Sequence, residues 1–97
     1  MASKRSLKKE IISIASELFS DTIVLQMLVE EKDLSKVEKI MNQIIDWMNN
    51  TINKVGHPDA KNNTKMLKKY YTDLRQRIQQ DVDKMSDELD AIAETLK

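Results

Sequence analysis

The chain has 97 residues, 40% hydrophobic and 33% charged, with 16 Lys+Arg balanced by 16 Asp+Glu. That length suits one domain, and a single Gly with a single Pro supplies too little turn chemistry for a many-stranded β fold. No cysteine means no disulfide framework, thiolate metal site or catalytic thiol. A single His excludes a site built on two imidazoles, and zero net charge argues against a surface that coats nucleic acid throughout.

Apolar spacing is helical nearly throughout. The first segment, residues 6 to 30 or so, places Leu7, Ile11, Ile14, Leu18, Leu25 and Leu28 on one face. The stripe falters at Ser20-Asp21-Thr22, where Asp21 occupies the expected core slot. The helix is expected to kink there, or to be split with Asp21 capping a second piece; one long, bent helix is the simpler reading. Leu7 to Phe19, with Ile11, Ile14, Ala15 and Leu18, resembles the first helix of TetR-type repressors. In that family a glycine turn and a helix-turn-helix follow. Here Ser20-Asp21-Thr22 leads straight into an apolar run, so the DNA-reading element is missing and no repressor function is implied.

The second segment has the clearest pattern. Leu34, Val37, Met41, Ile44, Met48 and Val55 follow steps of three and four, with Thr51 in the one polar slot, and Ile40, Ile45, Trp47 and Ile52 widen the stripe. Ser35 and Glu38 stand as a capping box, Gly56 suits a left-handed residue after the last turn, and Pro58 prevents continuation. These signals predict a helix over 35–55. The third segment, 63–96, carries Leu67, Tyr71, Leu74, Ile78, Val82, Met85, Leu89, Ile92 and Leu96, with one inserted residue in an otherwise heptad-like spacing.

Three helices joined by two short connections fold most simply as an all-α, up-down-up antiparallel three-helix bundle with coiled-coil-like packing, one domain over residues 1–97. No continuous signal-peptide core is visible at the N-terminus, and the longest apolar run, Ile23 to Val29 with Gln26 inside it, is far short of the ~20 residues of a membrane span. A cytoplasmic protein without a membrane span is the expectation. Asn49-Asn50-Thr51 and Asn62-Asn63-Thr64 then match the glycosylation pattern by chance.

Two features exceed what a monomer needs. Between Ile23 and Val29 apolar residues point nearly all round the helix, and a third helix longer than the second is expected to project its tail past its partners. This makes Ile23, Val24, Met27, Val29, Leu89, Ile92 and Leu96 the candidate surface for a homodimer or another protein partner. Charge is also segregated. The up-down-up path brings Lys4, Arg5, Lys8, Lys9, Lys54, Lys61, Lys65, Lys68 and Lys69 to one end, with Tyr70 among them as a base-stacking candidate. Glu30, Glu31, Asp33, Asp87, Glu88, Asp90 and Glu94 gather at the other end. Cations at helix starts oppose the helix macrodipole, so an anionic ligand or a charge-matched partner is the alternative reading.

Chemistry has little to work with. His57, in Gly-His-Pro-Asp, has no nucleophile or second base in local reach, and the carboxylates fit neither the Glu-x-x-His di-iron pattern nor a calcium loop. No cofactor, metal site or catalytic residue is expected. The sequence points to a non-enzymatic, self-associating interaction or adaptor module, with binding of nucleic acid or an anionic surface through the Lys-rich end as the alternative.

Overall fold

The structure, a computed structural model, describes residues 4–56 and 64–96. They form three α-helices: α1 (Lys4–Leu28), α2 (Glu31–Gly56) and α3 (Thr64–Glu94). The helices pack side by side into a rod with extents of 51 × 19 × 17 Å. The apolar residues form two clusters that fix the topology. Leu7, Ile11, Val55, Leu74 and Ile78 meet towards one end; Leu18, Leu25, Val37, Ile40, Met85, Leu89 and Ile92 meet towards the other. The start of α1 therefore lies beside the end of α2 and the start of α3, which is the expected up-down-up arrangement. Ile14, Trp47 and Met48 touch both clusters and join them into one core.

α1 is a single continuous helix through Ser20 and Asp21. The slot assigned to Asp21 is filled by Thr22, which is fully buried, while Asp21 is exposed. Leu7, Ile11, Ala15, Leu18, Thr22 and Leu25 make an unbroken seam at steps of four and three. The Thr22 hydroxyl donates to the Phe19 carbonyl at 2.5 Å, so the buried oxygen is satisfied one turn back along its own helix. Ala15 and Thr22 are small, and helix axes approach more closely where small side chains meet. α1 and α2 are the most extensively packed pair.

Both ends of α2 differ from expectation. α2 starts at Glu31, four residues before Ser35, so Ser35 and Glu38 are exposed residues inside the helix and not its cap. The chain turns within two residues, with the Val29 amide donating to the Leu25 carbonyl and the Asp33 amide to the Glu30 carbonyl, both at 2.9 Å. Glu31 and Asp33 then place negative charge in the first turn, where the helix dipole favours it. Gly56 is the last residue of α2 and has no positive φ. His57, Pro58, Lys61 and the Asn63 start expected for α3 lie outside the described residues.

The largest departure concerns the tail of α3. Leu89 is 5% and Ile92 8% exposed, both packed in the core with Leu25, Val37 and Ile40. They do not overhang, because the register of α3 against α2 sets them beside Val37 and Ile40, well inside the span expected for α2. Overhang occurs at the opposite end. The Tyr70 hydroxyl donates to the Lys54 carbonyl at 2.8 Å and the Tyr71 hydroxyl to the Val55 carbonyl at 3.0 Å. These tethers put Tyr70 and Tyr71 beside the last turn of α2, so the first turn of α3 runs past it.

Candidate interaction surface and Lys-rich end

The two surfaces expected from the sequence fare differently. Of the apolar set, Leu89 and Ile92 belong to the core and Val29 packs partly buried against it, so these three leave the candidate interface. Ile23, Val24, Met27 and Leu96 are exposed, and Leu28 joins them. Three further large apolar residues are exposed: Ile12 on α1 and Met66 on α3, which no expected stripe included, and Ile45 on α2, which was expected to widen the packed stripe. For Ile45 the signal is the breadth of that stripe, since a three-helix bundle can cover only part of a helix whose apolar residues extend that far round it.

Three side-chain contacts define which flanks of α1 and α2 face α3. Glu10 on α1 pairs with Arg75 at 3.5 Å. On α2, the Trp47 indole N–H donates to Asp81 at 3.1 Å and the Gln43 amide to Glu88 at 3.4 Å. Ile12 lies two residues from Glu10, and Ile45 two residues from both Gln43 and Trp47. At 3.6 residues per turn, two residues are roughly 200° of rotation, so Ile12 and Ile45 sit on the flanks turned away from α3. Ile23 follows Ile12 by eleven residues, three turns, and continues the same strip, with Met27 one turn further on. The charged side chains of α3 cover one side of the α1–α2 pair, and an apolar strip runs along the other.

By length and composition, α1 over Arg5–Leu28 is apolar enough to cross a membrane, and 28% of its apolar window is buried in the bundle. Asp21 within that stretch would cost roughly 2.5–3.5 kcal/mol at the centre of a bilayer.

The Lys-rich end does assemble. Arg5, Lys8 and Lys9 of α1, Lys54 of α2, and Lys65, Lys68 and Lys69 of α3 converge there, while Lys61 and the Lys4 side chain lie outside the described residues. Part of this charge serves the fold. The Lys8 ammonium lies 3.5 Å from the position a Cβ would take on Gly56, against the last residue of α2, and Lys54 stands in that helix's last turn. A cation at the start of α1 is thus a cation at the C-terminus of α2, where the dipole favours it. The antiparallel neighbour supplies a stabilising role that reading each helix separately does not reveal. Tyr70 also has a structural task. Its hydroxyl is held by the Lys54 carbonyl, and its ring stands edge-on to Tyr71, with centroids 5.4 Å apart and planes at 85°.

Among the described residues, no group of three or more His, Cys, Asp or Glu is placed to hold a metal ion. No protein-family model, curated protein or solved structure matches this chain.

Proposed function

We propose that this protein is a non-enzymatic interaction module of the cytoplasm that works by self-association through the outer surface of α1. The observation that carries the reading is the set of large apolar side chains on that surface. Met27 is 80% and Leu28 61% exposed, with Val24, Ile12 and Ile23 between 45% and 54%. Isolated exposed apolar residues are ordinary, but Ile12, Ile23 and Met27 fall on one strip of α1 of the kind that marks an interface, while Val24 and Leu28 lie towards the Glu10 flank. Each such side chain gains when water is removed, by about 25 cal/mol per Å² covered. The buried seam of α1 favours the bundle over a bilayer as the place where this helix resides.

A second reading, binding of nucleic acid or another polyanion, rests on the convergence of lysines from all three helices at one end of the rod. Salt separates the two, because counterion release weakens phosphate binding steeply as salt rises, whereas apolar association holds or strengthens. The deciding experiment is absolute mass in solution by light scattering behind a sizing column, at low and at high salt. A dimer at both supports self-association; a monomer at both overturns it. Binding of a labelled duplex or single strand at low salt that disappears at moderate salt would support the second reading, and no binding at low salt would end it.

A further inference from the structure

Which second copy contact would cover the apolar strip follows from how charge is laid along it. We infer that two copies pack antiparallel through the face of α1 and α2 that α3 leaves open, about a two-fold axis crossing the rod near Ile45. This inference rests on the self-association reading above and goes further by naming the face, the partner and the orientation.

Register places the apolar residues symmetrically. Leu25 shares a cluster with Val37, and Leu7 and Ile11 share one with Val55. Counting inwards along the antiparallel pair, Ile45 stands opposite the stretch of α1 between Glu17 and Asp21, midway between Ile12 and Ile23. A two-fold axis at that level lays Ile12 of one copy on Ile23 of the other, and Ile45 on its own counterpart. Such an interface is isologous and closes at two chains. In the assembly, the two α1–α2 layers form a four-helix core with α3 on each outer side.

Charge selects the orientation. Arg5 and Lys9 continue the open strip of α1, seven and three residues before Ile12. Glu38 and Glu31 lie in line with Ile45 on α2, seven and fourteen residues before it, and all four charged residues are exposed. The open face is therefore cationic at one end, apolar in the middle and anionic at the other. An antiparallel pairing brings the Arg5–Lys9 end of each copy over the Glu31–Glu38 end of the other. A parallel pairing sets like charges together at both ends, which an interface disfavours. This arrangement also gives a role to the charge polarity that the dipole of α2 leaves over, because Arg5 and Lys9 sit on the open face.

The test is sedimentation equilibrium or light scattering on the wild-type chain and surface variants, with far-UV circular dichroism as the check on folding. Ile23→Asp and Ile45→Asp, each in an exposed position, are expected to leave helicity unchanged and to raise the dimer dissociation constant at least a hundredfold. Reversing one end, as Arg5→Glu with Lys9→Glu or as Glu31→Lys with Glu38→Lys, is expected to weaken the dimer about tenfold at low salt. Combining both reversals in one chain should restore it to within about threefold. A wild-type chain that stays monomeric would overturn the self-association reading altogether. A dimer indifferent to Ile23→Asp and Ile45→Asp would overturn this face while leaving that reading standing. Loss of the dimer in the Asp variants without rescue by the combined charge reversal would overturn the antiparallel orientation.

Discussion

Replacing Leu89 by Ala separates a tail that packs from a tail that projects. Leu89 is 5% exposed and is packed in the core with Leu25, Val37, Ile40, Met85 and Ile92. Removing its outer three carbons forfeits their transfer free energy and leaves a cavity that the ends of three helices can close only in part. Buried Leu→Ala changes cost 2–5 kcal/mol, and a site near a helix end, where relaxation is easier, puts this one at about 3 kcal/mol. A domain of this size has roughly 5–15 kcal/mol in total, so the loss is a large share of it. At 4–8 °C per kcal/mol, the midpoint of thermal unfolding should fall by roughly 12–24 °C. The assay is thermal and urea unfolding by far-UV circular dichroism at one fixed protein concentration, because association adds to apparent stability by mass action. Leu96→Ala is the control: Leu96 is 39% exposed, and its loss should cost no more than about 0.5 kcal/mol. If Leu89→Ala is as mild as Leu96→Ala and instead lowers the mass in solution, the packing of the α3 tail described above is wrong.

Gly56→Ala should stabilise the protein by about 0.5–1 kcal/mol in the same unfolding assay. Gly56 is helical without a positive φ, and the added Cβ would meet only the Lys8 side chain at ordinary contact distance. Tyr71→Phe removes the hydroxyl donor to the Val55 carbonyl that ties α3 to the last turn of α2, and should cost about 0.5–1.5 kcal/mol by urea titration. Trp47→Phe and Asp81→Asn, combined in a double-mutant cycle, should show a coupling of about 0.5–2 kcal/mol, since their hydrogen bond joins α2 to α3 in a partly buried position. Glu10→Gln, by contrast, breaks an exposed 3.5 Å pair with Arg75 and should change stability by less than about 0.5 kcal/mol.

The all-α class, the number of helices and their up-down-up order are legible in the residues. Steps of three and four between apolar positions specify helices, two short connections allow little else, and the predicted stripe of α3 supplies its buried residues from Leu74 to Ile92. Helix ends and the fate of surplus apolar residues are not legible in the same way. Ser35 with Glu38 is a sound local cap, yet Glu31–Leu34 contains nothing that breaks a helix, and Glu31 and Asp33 suit its first turn, so α2 runs through it. Asp21 occupies a core slot only if the period is carried rigidly. One residue of phase moves the seam to Thr22, whose hydroxyl finds a carbonyl within its own helix, whereas a buried carboxylate would need a partner.

Sequence by itself determined that this chain would make three amphipathic helices with more apolar surface than one such bundle can hide, and that its charge would divide between the two ends. Only the tertiary structure decided which apolar residues those were. Leu89 and Ile92 went inside because the register of α3 sets them beside Val37 and Ile40, and Ile12, Ile23 and Ile45 stayed outside because α3 lies on the other side of the α1–α2 pair. The physical reason is that helical periodicity states which residues share a face, while burial depends on where two other helices are, a relation between segments that no spacing within one segment contains.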